Sequence, residues 1–231
     1  MRRQIEALQK DVDTIRNLLQ ILASGKPPVD IHAADAAEPP PVQTLRIAGR
    51  SAVGSPSAPV VVLEFTDYEC PYCAQYTTQT WPAIERDYVK TGKVRYVYKN
   101  FPIEQLHPNA FRAALAASCA GDQGRFPEMH ARLFAHQSQL GAADLPAHAR
   151  ALGLDMTAFD ACMAGTAHVA AIKEDTAEAT AGGVRGTPVF VLAVRGPDPD
   201  VVSPVRVLVG AQPFDAFQRA LDALLAQQQE N

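Results

Sequence analysis

Val60-Val-Val-Leu-Glu-Phe-Thr-Asp-Tyr-Glu-Cys-Pro-Tyr-Cys73 is the stretch on which the fold turns. Behind Pro59, the β-branched run Val60 to Phe65 reads as a buried central strand. It ends at Thr66-Asp67, and a helical pattern runs from the cysteines to about Lys90, with Pro82 as a possible kink. Cys70 and Cys73 therefore stand where a strand hands over to a helix. There the free backbone N–H groups and the helix dipole stabilise a thiolate on Cys70. Cys73, about one turn on, is placed to close a disulfide or resolve a mixed one. Pro71 suits a first helical turn, where its missing N–H is not needed.

Two other readings of the pair are a half zinc site and a structural disulfide. Zinc wants two further ligands, but Cys119 and Cys162 are isolated and His107, His130 and His136 form no ligand cluster with the pair. No metal is expected. The strand-to-helix placement argues against a purely structural bridge. Glu64 interrupts the apolar strand six residues before Cys70. A buried carboxylate there is costly unless it has a task, and moving a proton to or from Cys73 is one. The alternative is a solvent-facing Glu on an edge strand. Gly186-Thr187-Pro188 precedes another β-branched run, so Pro188 is either an ordinary strand entry or a cis-proline.

Outward from this stretch, Leu45–Ala48 reads as a short strand and Val94–Lys99 as another. From Pro108 to about Gly182 alanine dominates and β-branched residues thin out, which reads as three to five helices, with Asp144 and Asp155 as caps. Val189–Leu192 and Val205–Val209 are strands around a Gly-Pro-Asp-Pro turn. Phe214, Phe217, Leu221, Leu224 and Leu225 mark a closing amphipathic helix. Tyr68, Tyr72 and Phe101 are candidates either for an apolar rim or for the core, and Trp81 for the core. The histidines are given no catalytic role.

The chain has 231 residues, about 1.5 times a typical domain. At 47% hydrophobic it can bury a sizeable core. Its 21 basic and 25 acidic residues leave a net charge of −4, which argues against nucleic-acid partners. Four cysteines are too few for a disulfide scaffold. Ile5, Leu8, Val12, Ile15, Leu19 and Leu22 are spaced as heptad a and d positions, closed by Gly25, Pro27 and Pro28. The stripe of this 1–24 helix needs a partner, either its own domain or other copies. Residues 25–41, with five prolines and four alanines, read as an extended linker that holds the helix away. A coiled-coil homodimer or homotrimer is the favoured reading.

The strand-borne Glu64, the Cys70-Pro-Tyr-Cys73 pair and the late Gly186-Thr187-Pro188 together resemble the thioredoxin superfamily, specifically DsbA-like thiol–disulfide oxidoreductases. Cys119-Ala-Gly-Asp-Gln-Gly-Arg-Phe126 is similar to part of that family's inserted helical domain. The resemblance spans roughly residues 42 to 228 and implies an α/β thioredoxin fold with an inserted α-helical domain, here preceded by the coiled-coil helix. Residues 42–105 and 185–231 are then the two parts of the thioredoxin fold and 106–184 the insertion. By the same resemblance Cys70 is the nucleophile, Cys73 the resolving thiol and Glu64 the buried acid beneath them. Thr187 and Pro188 form a cis-proline loop that, with Pro71 and Tyr72, faces an extended substrate chain. Cys119 and Cys162 pair as a structural disulfide in such relatives; two buried free thiols are the alternative. Closing that loop stabilises a fold by about 2–4 kcal/mol.

The function expected is disulfide exchange in cysteine-containing protein substrates, without metal or organic cofactor and with a redox partner protein, membrane-bound or soluble. Strongly oxidising members often carry a histidine where this chain has Tyr72, and threonine before the cis-proline is more typical of isomerase relatives. Those departures, with the stalk, favour an oligomeric isomerase or reductase; a DsbA-type oxidase and a redox-independent chaperone are the alternatives. A structural disulfide belongs in an oxidising space, so a periplasmic or other envelope location is expected for a chain whose signal has been removed. A chain native as given, with Glu6, Lys10, Asp11 and Asp13 interrupting any apolar leader, reads as cytoplasmic. Light scattering tests the stalk: the intact chain should have a multiple of the monomer mass, and a chain starting at residue 42 the monomer mass.

Overall fold

The computed structural model describes residues 44–229. The heptad helix, its proposed oligomer and the 25–41 linker lie outside the described residues. Among these, β1 (Leu45–Arg46) and β2 (Ala52–Val53) precede the long β3 (Val60–Thr66). Helix α1 (Pro71–Gln79) is followed by α2 (Trp81–Ile84), which runs into a π-helical turn over Glu85–Val89 before β4 (Val94–Asn100). Five helices come next: α3 (Ala110–Gly121), α4 (Phe126–Ala135), α5 (Leu145–Ala151), α6 (Met156–Ala164) and α7 (Ala167–Ala181). The chain closes with β5 (Val189–Arg195), β6 (Val201–Val209) and α8 (Phe214–Gln229).

The strands form one mixed sheet in the order β1-β6-β5-β3-β4-β2. β3 lies parallel to β4 and antiparallel to β5, so all seven of its residues are buried. Alternation along β3 divides the core in two. Val60 and Val62 face a cluster with Tyr76 of α1, Phe217 and Leu221 of α8, and the inserted helices. Val61, Leu63 and Phe65 face a second cluster with Val97, Val191 and Ala179 of α7. The mixed core with a helical insertion is thus in place.

Several local expectations need correction. The strand β2 went unrecognised: two residues carry no periodic signal. It is followed by Gly54, where a Cβ would stand 2.5 Å from the Val94 carbonyl oxygen. β6 begins at Val201 rather than Val205 because Pro204, which lacks an N–H, is accommodated where the β5–β6 register shifts beside Leu192/Ala193. The expected long helix after Cys73 breaks at Thr80, with Pro82 in the first turn of the next segment. Asp155 caps α6 through Thr157 N and Ala158 N, whereas Asp144 makes no side-chain cap bond.

On the second face, Lys99 is fully buried, as is Asp175 of α7. Lys99 Nζ lies 3.3 Å from Asp175, pairs with Glu178, and sits 5.5 Å from the Phe65 ring centroid. Arg50 reaches the same Asp175 at 2.7 Å, and the Asn100 N–H donates to it at 3.0 Å. This network ties α7 to β4 and to the loop after β1. Removing one partner of a buried ion pair strands the other, so Asp175→Ala should lose roughly 3 kcal/mol of stability, read as a lower urea midpoint.

Candidate active site

Cys70 occupies the N-cap position of α1, with extended backbone (φ −72°, ψ 121°) and Pro71 in the first turn. The loop that delivers it, Thr66 to Glu69, is held on both sides. Asp67 is buried and accepts from Glu69 N (2.8 Å), Ile103 N (2.8 Å) and His107 Nδ1 (2.9 Å). Glu69 accepts from Asn109 N and Nδ2, at 2.6 and 2.9 Å. Gln137, in the turn after α4, donates to the carbonyl oxygens of Tyr68 (2.8 Å) and Cys70 (3.0 Å). The inserted domain thereby grips the backbone of the loop that carries Cys70.

The two thiols are free and differ sharply. Cys73 is completely buried, and burial, reinforced by Cys70 and Glu64 nearby, pushes its thiol well above the usual range. Cys70 is lowered to about 5 by hydrogen bonding with Cys73, by Thr187 and by the backbone N–H groups of Cys73 and Tyr72, against burial. In the dithiol its Sγ donates to the Thr187 carbonyl oxygen at 3.3 Å. The Thr187–Pro188 peptide is cis, and the Pro188 carbonyl accepts from Gly210 N at 2.8 Å.

Glu64 is 1% exposed on the central strand, which removes the edge-strand alternative. Burial raises its carboxyl to about 7, opposed by the Tyr96 hydroxyl, which donates to Oε2 at 2.8 Å. Among the described residues its Oε1 makes no hydrogen bond. Tyr96 also meets the Tyr76 hydroxyl at 3.0 Å. On the flank of the loop, the Tyr68 hydroxyl and His130 Nδ1 are 3.0 Å apart, and burial lowers His130 to about 3, so the ring is neutral.

Cys70, Cys73, Glu64, Pro71, Thr187 and Pro188 converge here. Tyr72 is 62% exposed beside them, while Tyr68 and Phe101 are buried, so of the three rim candidates only Tyr72 stays on the surface. Trp81 is half-buried, packed against Tyr96 with ring centroids 4.4 Å apart. Cys119 and Cys162 are joined by a disulfide within the inserted domain. Sequence reasoning missed Gln137, Asp67 and His130. The only signal in reach was Asp67 lying so close to Cys70; an isolated Gln in a helical block gives none.

A family model described as thioredoxin matches residues 48–198. Among solved structures, Wolbachia pipientis alpha-DsbA1 superposes with a TM-score of 0.67 at 21% identity, covering 79% of this chain and 94% of that one. Bacillus subtilis BdbD gives 0.64 at 20% identity, covering 78% and 95%. A thioredoxin-like oxidoreductase from Silicibacter pomeroyi gives 0.60 at 28% identity, covering 75% and 91%. Curated relatives include the Na(+)/H(+) antiporter NhaA 1 of Salinispora arenicola, 42% identical over 142 residues, or 62% of this chain. A protein of the same name from Mycobacterium sp. (strain KMS) is 38% identical over 160 residues, or 67% of this chain. The matches span only 21% and 25% of those two proteins. Fold and cysteine pair match those of thiol–disulfide oxidoreductases, and the chain belongs to the thioredoxin family, in the DsbA-like form with a helical domain inserted in the thioredoxin core.

Proposed function

We propose that the protein is a DsbA-type dithiol oxidase of protein substrates. The observation that carries this reading is the opposite displacement of the two thiols. A thiolate on Cys70 is held down without any charged residue at position 72, which favours the reduced state and makes the Cys70–Cys73 disulfide a ready acceptor of electrons. Tyr72 and Thr187, taken from sequence as marks of an isomerase, therefore do not weaken an oxidase.

In the proposed cycle a substrate thiolate attacks Cys70 Sγ of the disulfide, and Cys73 leaves. The buried Cys73 sulfur needs a proton as it leaves, and Glu64, protonated below about pH 7, is the group placed to supply it. A second substrate thiolate attacks the substrate sulfur of the mixed disulfide and expels Cys70 as a stable thiolate. Two electrons have passed to the enzyme and a disulfide to the substrate; a redox partner protein then reoxidises the pair. Pro71, Tyr72, Thr187 and Pro188 bound the face presented to the substrate chain.

An envelope location with a membrane-bound partner is supported by the DsbA-like fold and by relatives named as antiporters. No helix among the described residues is long and apolar enough to cross a membrane. An oligomeric isomerase is the second reading, resting on the heptad positions Ile5 to Leu22.

Oxidation of a reduced dithiol substrate and reactivation of scrambled ribonuclease separate the two. The oxidase reading expects fast oxidation by the full chain and little reactivation; the reverse overturns it. Cys73→Ser should no longer oxidise a reduced substrate but should accumulate a mixed disulfide when its Cys70 thiolate attacks a disulfide-bonded substrate, expelling one substrate thiol; Cys70→Ser should neither oxidise nor trap. A chaperone would keep its activity in both. Alkylation of reduced Cys70 should follow an ionisation near pH 5, and a midpoint in the ordinary thiol range of about 8–9 would sink the proposal.

Glu64 gives a second pH test. Its folded carboxyl titrates near 7, above its unfolded value, so between about 4.5 and 7 the native state holds the extra proton and stability falls as pH rises. Glu64→Gln should flatten that slope and slow release of Cys73 by about 100-fold. A slope and rate like those of the unsubstituted chain would remove Glu64 from the mechanism.

A further inference from the structure

Away from the dithiol, three helix ends meet at the Cys119–Cys162 bridge. Cys119 lies in the last turn of α3 and Cys162 in the last turn of α6, while His168 is the second residue of α7. Asp122 follows directly on α3 as its C-cap. The ligand atoms of Cys119, Cys162 and His168 all lie within 4.8 Å of one another. Asp122 Oδ2 is 2.8 Å from His168 Nε2 and 3.6 Å from Cys162 Sγ. The structural role given to the disulfide explains neither the histidine nor the aspartate.

We propose that reduction of this disulfide turns it into a divalent-metal site, with zinc as the matching ion and Cys119, Cys162, His168 and Asp122 as ligands. Two thiolates, one imidazole and one carboxylate are a donor set suited to tetrahedral zinc. Zinc–sulfur bonds of about 2.3 Å and zinc–nitrogen or zinc–oxygen bonds of about 2.0 Å imply ligand-to-ligand edges of roughly 3.3–3.8 Å. The Asp122–Cys162 separation already has that length. The Asp122–His168 hydrogen bond needs to open by about half an ångström, and the two sulfurs, bonded in the disulfide, must separate to about 3.8 Å. Their Cα atoms are 5.8 Å apart, and Cys162 is only half-buried, so its side chain has room to turn.

Electrostatics point the same way. Both cysteines sit at helix C-termini, where the dipole is negative; a thiolate there is disfavoured and a cation favoured. A bound divalent ion supplies the positive charge that two such thiolates lack. Access is open as well: Asp122, His168 and Ser118 line a cleft of about 220 Å³.

The step balances. A dithiol reductant gives two electrons and two protons to the bridge and becomes a disulfide, leaving two thiols; the metal then displaces their two protons. Oxidation by a disulfide reverses this and releases the ion.

The test uses the full chain carrying Cys70→Ser and Cys73→Ser, so that the catalytic pair cannot bind metal, titrated with cobalt(II) before and after reduction by a phosphine. The expected result is one cobalt per chain, with thiolate-to-cobalt charge-transfer absorption, in the reduced protein only. His168→Ala and Asp122→Asn should each weaken binding by at least about tenfold. Zinc should raise the thermal midpoint of the reduced chain and leave that of the oxidised chain unchanged. Should reduction unfold the chain, zinc should restore its circular dichroism. A reduced chain that takes up no cobalt, whose binding ignores His168→Ala, or that unfolds and is not rescued by zinc overturns the proposal.

Discussion

Burial of β3 on both faces is the constraint on which the rest of the structure depends. A strand paired on both sides and covered above and below has no polar exit, so each of its side chains must be satisfied inside. Period-two alternation sends Glu64 to the face shared by Val60 and Val62, beneath Cys73, and a one-residue slip would exchange that carboxylate for Phe65. The same strand carries the chain out of the sheet at Thr66 and hands it to α1, so the register that buries the acid also positions Cys70. With burial outweighing the Tyr96 and Thr66 hydroxyls, the carboxyl is raised to about 7, where it can give a proton or take one.

The inserted helices add what the thioredoxin core lacks. Asp67 collects donors from the segment after β4, and Gln137 reaches in from the turn after α4 to hold the carbonyls of Tyr68 and Cys70. These bonds fix the backbone on both sides of Glu69, so the Cys70 sulfur stands at the end of a braced loop. The neutral His130 supports this wall through Tyr68 rather than through charge.

What the sequence made legible follows from which signals are local. The β3 run, the cysteine spacing, the amphipathic stripe of α8 and the alanine-rich insertion each declare themselves within a short window, and each has its counterpart in the structure. Glu64 was legible because a charge in an apolar strand is an anomaly that needs a reason. Gln137, the Lys99–Asp175 pairing and the fate of Tyr68 were not, since each depends on contacts across long sequence separations. Lys99 looked like the polar end of an alternating strand; only the fold shows α7 laid over it with the compensating carboxylates. β6 was read short because proline breaks the local pattern, while the sheet absorbs it at a shifted register.

The two cysteine pairs show how helix polarity assigns different work to the same bond. Cys70 and Cys73 share one helix start, where N–H groups and the positive end of the dipole stabilise the sulfur that must leave. Exchange at that pair is easy because its leaving group is good. Cys119 and Cys162 sit in the last turns of two helices, at negative dipole ends that make a thiolate a poor leaving group. The second bridge therefore opens less readily by exchange than the first. One chain then holds two disulfides of different lability, separated by the sign of the helix end on which each is built.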